Sequence, residues 1–175
     1  MAEIRVPRPR RRRGLTLVES AVTLALAAVV VGLAVPGFAA IGERERLRAV
    51  ASALQTDIAF ARSQAAAQSR TLRLEFAGPR CWLLHDGPAG CGCGPGAAAC
   101  PGRLVLRQAD LGAGHPVELR ANVGSILFEP TRGTVTPTTT VRLSLPQGPR
   151  LHLVVNLMGR VRRCSPDGLP GEAAC

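Results

Sequence analysis

The stretch that decides the fold is "RRRRGLTLVESAVTLALAAVVVGLAVPGFAAIGERERLRAV", Arg10–Val50. Four arginines meet a glycine, and from Leu15 to Gly42 the only charged residue is Glu19. At ~1.5 Å per residue a helix over this run is roughly 42 Å long, and a bilayer core asks for about 20 apolar residues. The apolar region of a secretory signal is only about 7–15 residues, so the run is too long for a plain signal peptide. Arginines favour the cytoplasmic side. The pattern therefore predicts a single pass through a membrane, with the leader in the cytoplasm and the body outside. Pro36 and Gly37 loosen the helix late in the span. A carboxylate in hydrocarbon costs ~2.5–3.5 kcal/mol, which Glu19 avoids either by reaching water near the membrane interface or by finding a cationic partner.

Downstream, "ERERLRAVASALQTDIAFARSQAAAQSR" (43–70) contains no proline. Leu47, Val50, Ala51, Leu54, Ile58, Ala61 and Ala65 recur at steps of three and four, one apolar stripe with charge on the other faces. This predicts one helix from about Thr16 to about Ser69, membrane half first and amphipathic half second. Phe60 falls roughly 140° off the stripe at ~100° per residue, as an exposed or edge aromatic or a contact with a neighbouring subunit.

After Arg70 the period changes to two. "TLRLEF" (71–76), "CWLLH" (81–85), "RLVLR" (103–107), "VELRA" (117–121), "SILF" (125–128), "VRLSL" (141–145), "LHLVVNL" (151–157) and "RVRRC" (160–164) follow, parted by Pro and Gly. Short alternating runs predict antiparallel strands. A helix followed only by strands makes the fold α+β: a long N-terminal transmembrane and amphipathic helix packed on a C-terminal antiparallel β-sheet domain. The expected divisions are 1–14, basic leader; 15–42, membrane half; 43–70, amphipathic half; 71–175, β domain with disulfide-tied loops. "DGPAGCGCGPGAAACPG" (86–102) has no period and reads as a loop held by cross-links, and "TVTPTTT" (134–140) as an exposed turn or edge.

Composition limits the function. The net charge is +10 and every basic residue is arginine. Six arginines and Glu3 precede Gly14, so the leader carries +5 and the body the other +5. His85, His115 and His152 have no Ser or Asp at telling distances. Nucleophile elbows, zinc-protease helices and phosphate-binding glycine loops are absent from the sequence. No enzyme activity and no cofactor are expected.

Basic leader, Gly14, an acid at Glu19 and the late Pro36 together resemble the processing site of type IV pilin-like proteins. That resemblance implies cleavage between Gly14 and Leu15 by a prepilin peptidase and N-methylation of Leu15. Family members usually begin with phenylalanine, so Leu15 is a departure, though a large apolar one. The resemblance also implies a partner for Glu19: the free N-terminal ammonium of an adjacent subunit, which makes the acid a register pin for assembly. "ARSQAAAQSRTLRLEF" (61–76) and "GRVRRC" (159–164) resemble the GspH/FimT group of minor pilins and pseudopilins. The expected partners are other pilin or pseudopilin subunits in a type II secretion or type IV pilus filament, the peptidase and the inner membrane. A further alternative is an unrelated exported domain, cut near "GFAA" (37–40).

In the FimT-type minor pilins a Gly-Arg-x-Arg motif is associated with capture of duplex DNA during uptake, and "GRVR" (159–162) matches it. Arg160 and Arg162 fall on one strand face and Arg163 on the other. Such a patch contacts phosphates, or simply solvates a strand edge. Of the six cysteines, Cys164 and Cys175 enclose a turn-rich loop and form the expected disulfide. Cys81, Cys91, Cys93 and Cys100 leave two arrangements, 81–91 with 93–100 or 81–93 with 91–100. A metal site using these and His85 is disfavoured, because Cys-x-Cys lacks the usual zinc spacing.

Overall fold

The computed structural model describes residues 16–93, 100 and 103–175, with the backbone alone at 33–40. The chain divides into two compact units, Met1–Ala40 and Ile41–Cys175. One helix, α1, covers Leu17–Gln68. In the first unit its described large apolar side chains, Leu17, Val22, Leu24 and Val29 among them, are exposed.

The second unit builds the core. The stripe Leu47, Val50, Ala51, Leu54, Ile58, Ala61 and Ala65 is buried, each at most 5% exposed. At a buried leucine such as Leu54, truncation to alanine costs about 2–5 kcal/mol. The helix ends where Ser69 turns left-handed (φ 48°). Arg70 N–H then donates to Ala65 O (3.2 Å) and Ser69 N–H to Ala66 O (3.4 Å), which satisfies two of the last carbonyls.

The strands are β1 (Leu72–Phe76), β2 (Cys81–His85), β3 (Val105–Asp110), β4 (Glu118–Ala121), β5 (Ser125–Phe128), β6 (Val135–Thr136), β7 (Thr139–Ser144), β8 (Arg150–Val155) and β9 (Val161–Cys164). They form a five-stranded sheet, β3-β2-β1-β5-β6, and a four-stranded sheet, β4-β7-β8-β9. Every ladder is antiparallel. Alternation sends Leu72 and Leu74 of β1, Val141 and Leu143 of β7, and Leu151, Leu153 and Val155 of β8 into the same cluster as the helix stripe. Helix on antiparallel sheet is the α+β arrangement.

Residues 134–140, expected as an exposed turn or edge, include β6 at the edge of its sheet and exposed residues 136–138, but the segment is also partly buried. Val135 and Thr139 are buried at 0% and 3%, and β6 and the start of β7 lie here. The hidden partner is Asn122, whose Oδ1 accepts from Thr139 Oγ1 (2.6 Å) and Thr140 N–H (2.9 Å). Phe60 is half-buried against its own core, with the Arg107 guanidinium 4.0 Å from its ring centre.

β2 breaks the alternation, because all five of its residues are buried. Trp82 and Leu84 join the main core, whereas Cys81 and Leu83 join Cys100 in a second, smaller cluster. The outer face of β2 is covered by the disulfide-linked segment that follows it.

Candidate functional site

The N-terminal motif begins outside the described residues, for Gly14 and Leu15 precede them. Thr16 opens α1 as its cap: the Glu19 N–H donates to Thr16 Oγ1 at 3.2 Å. Threonine followed three residues later by glutamate is the capping-box spacing. Glu19 therefore sits in the first turn, where the helix macrodipole favours an acid. Its side chain is exposed. Among the described residues no helix is long and apolar enough to cross a membrane.

The arginines of the C-terminal hairpin separate. Arg163 turns towards the helix, donating to Ser52 Oγ at 3.2 Å and pairing with Glu172 at 3.2 Å. Arg160 and Arg162 are exposed and make no salt bridge among the described residues. The β8–β9 turn that carries them is tied by Asn156, whose Oδ1 accepts from Met158 N–H (3.0 Å) and Arg160 N–H (2.9 Å). Gly159 adopts φ 68° there, a conformation that suits glycine.

The outer face of the same sheet is basic as well. Arg120 lies directly opposite Arg142, and Arg142 opposite His152. Burial, then Arg142 and Arg150, push His152 below its ordinary 6.5. Arg150 is paired with Asp167 at 2.6 Å. That hydrogen bond holds the Asp167 carboxyl down to about 2 and raises Arg150.

The structure links Cys81 to Cys93, Cys91 to Cys100, and Cys164 to Cys175. Of the two arrangements open in the sequence for the first four, it adopts the second. A polar network the sequence did not announce holds the same segment. Glu75, 9% exposed, accepts from Gly90 N–H (2.7 Å) and Cys91 N–H (3.1 Å) and faces His85 Nε2 at 3.1 Å. His85 Nδ1 accepts from Gly87 N–H at 3.0 Å, so the ring proton sits on Nε2 and points at Glu75. His85 comes close to Cys91 and Cys100, within 4.8 Å. Both sulfurs are spent in a disulfide and both ring nitrogens in hydrogen bonds, so this donor set does not suit a metal ion.

A second unannounced cluster clamps α1 to the five-stranded sheet. Asp57, 8% exposed, accepts from Trp82 Nε1–H and from Arg107 Nη1, each at 2.8 Å. A buried acid three residues from a buried leucine was the one available signal.

The family model described as type II transport protein GspH matches residues 50–159, more than half of the chain. The chain belongs to the GspH family. A second family model, the prokaryotic N-terminal methylation motif, matches residues 9–35. This GspH-family chain is similar in fold to the type IV minor pilin FimU of Pseudomonas aeruginosa. The TM-score is 0.53 at 19% identity, covering 69% of this chain and 89% of that one. It is likewise similar to the minor pseudopilin EpsH of the type 2 secretion system of Vibrio cholerae. There the TM-score is 0.52 at 12% identity, covering 69% of this chain and 98% of that one. At these identities the likeness is one of fold: an N-terminal helix packed on antiparallel sheets. No curated protein matches the chain.

Proposed function

We propose that this GspH-family chain is a minor pilin or pseudopilin subunit of a type II secretion or type IV pilus filament. It is cut between Gly14 and Leu15 by a prepilin peptidase, methylated on Leu15, and assembled through the first half of α1. The observation that carries this reading is the presence of both matches on one chain. The methylation motif over residues 9–35 brackets Gly14, Leu15 and Glu19, and the GspH match over 50–159 covers the helix stripe from Val50 onward and most of the sheets. Before assembly the apolar run Leu15–Gly42 anchors the chain in the inner membrane, with the second unit in the periplasm. In the filament Glu19 meets the Leu15 ammonium of an adjacent subunit. The exposed apolar side chains Leu17, Val22, Leu24 and Val29 then pack against neighbouring helices.

The test is the intact mass and N-terminal sequence of the mature chain from its host. A start at methylated Leu15 is expected, and a start near Ile41 would instead mean ordinary signal-peptide cleavage. In the same cells Glu19→Ala is expected to be inserted and cut but poorly incorporated into filaments. Normal incorporation would remove the assembly role given to Glu19.

A further inference from the structure

We propose that the open edge of β9 is a docking site where an extended acidic segment of another protein adds as a further strand. The inference goes beyond the processing and assembly reading and uses no residue of the N-terminal motif.

Hydrogen-bond phase shows which backbone groups are free. The Asn156 N–H donates to Arg160 O (3.1 Å) across the β8–β9 turn, whereas Ser165 N–H, facing the opposite side, donates to Ala173 O (2.8 Å). Backbone groups alternate in direction along an antiparallel strand. The N–H and C=O of Val161 and Arg163 therefore point away from β8, to the side where Ser165 finds Ala173. Among the described residues they have no backbone partner there. The chain covers this edge at one rung only, through the parallel bridge Ser165–Ala174. The two rungs beyond it are a template for strand addition.

The surroundings state what kind of strand fits. Arg160 and Arg162 flank the free rungs and are exposed without ion pairs among the described residues. With Val154, Asn156 and Val161 they line a groove of about 500 Å³. Val154, Leu157 and Met158 are exposed at 37%, 49% and 52%. Below the edge, Arg163 meets Ser52, and a Cβ at Gly159 would lie 3.1 Å from Arg62 Cδ. The edge thus runs beside the flank of α1 between these positions, where small exposed residues such as Ala59 leave room. Val154 lies opposite Arg162 and shares its face, whereas Val161 lies on the other face, towards α1. A strand that alternates acidic residues towards the arginines with apolar residues towards Val161 and α1 satisfies the arginines and the backbone rungs together. A nucleic acid satisfies the arginines alone.

The experiment measures binding of a short fluorescent peptide of alternating valine and glutamate to the full chain in detergent micelles. The comparison probes are its valine–lysine counterpart, a form N-methylated at alternate residues, and a short DNA duplex. The acidic peptide is expected to bind, and the lysine form not. N-methylation of the peptide, or Val161→Pro in the protein, is expected to weaken binding about tenfold, the scale of one or two lost hydrogen bonds. Proline is tolerated at a strand edge whose N–H faces solvent, and a thermal melt checks that the variant folds. Should it not fold, the N-methylated peptide decides against the native chain. Equal binding of native and N-methylated peptide, or of acidic and basic peptide, overturns the proposal. So does duplex binding in place of the peptide, untouched by Val161→Pro and abolished by Arg160→Ala with Arg162→Ala. That result would mark a phosphate-reading surface instead.

Discussion

Replacing Asp57 by alanine tests the clamp between α1 and the five-stranded sheet. Trp82 is 1% exposed, and its Nε1–H donates to Asp57 Oδ2 at 2.8 Å. Removing that acceptor strands a buried donor, at about 1–3 kcal/mol. Arg107 loses its 2.8 Å ion pair too, but its side chain is 42% exposed and regains water. A pair that open to solvent contributes only about 0–1 kcal/mol. The expected loss for Asp57→Ala is therefore about 1–4 kcal/mol, most of it from the indole. Asp57→Asn keeps an acceptor for Trp82 and should lose about 1 kcal/mol or less. Arg107→Ala gives up the exposed pair and the cation–π contact with Phe60, together about 1 kcal/mol. Trp82 is the only tryptophan in the chain, so its fluorescence in a urea titration of the full chain in micelles reads the clamp directly. Two results would refute the reasoning: Asp57→Ala within about 0.5 kcal/mol of native, or Asp57→Asn as damaging as Asp57→Ala.

Removing the Cys164–Cys175 link, as Cys164→Ala with Cys175→Ser, frees a loop of sequence separation 11. It should lower stability by about 2–3 kcal/mol, read as an earlier urea midpoint with unchanged slope. A change in slope would point to loss of more than the tail. Acidification should remove stability in two stages. His152 is held below 6.5 by burial, Arg142 and Arg150, so the unfolded chain binds its proton first. Stability therefore falls as pH drops below 6.5, until the folded imidazole is protonated as well. Asp167, held to about 2 by its hydrogen bond from Arg150, has an ordinary value of 3.8. Its contribution is complete above 3.8 and lost as pH falls through about 2. Unfolding followed across pH should lose the upper stage in His152→Gln and the lower one in Asp167→Asn.

The amphipathic half of α1 was legible residue by residue, because burial along a helix obeys one period and the stripe from Leu47 to Ala65 obeys it cleanly. The strands were legible where one face is buried and one wet, as in β7 and β8. β6 escaped because its two residues are too few to show a period. Thr139 escaped because a threonine run resembles solvent-facing sequence until Asn122, distant in the chain, arrives to accept its hydroxyl. The Glu75 cluster was invisible for the same reason. Nothing near Glu75 in sequence shows that Gly90 and Cys91 will turn their N–H groups to it. Local period is written in the chain, whereas the choice of a buried polar partner is made by the topology that brings strands and loops together.

Glu19 joins both kinds of information. Thr16 satisfies the Glu19 backbone N–H, and the carboxylate occupies the first turn of α1. There the macrodipole returns about 0.3–1 kcal/mol, up to ~2 in a partly buried setting. Burying the carboxylate among helices costs ~2.5–3.5 kcal/mol. The helix alone leaves a deficit of about 0.5–3 kcal/mol, and in the proposed filament an ammonium on a neighbour must offset it. Cleavage and acid are then one interaction, not two. A substitution at Gly14 that leaves the leader uncut should reduce filament incorporation about as much as Glu19→Gln, and the double variant should be no worse than either. A double variant clearly worse than both would mean that amine and carboxylate act separately, and the pairing would have to be abandoned.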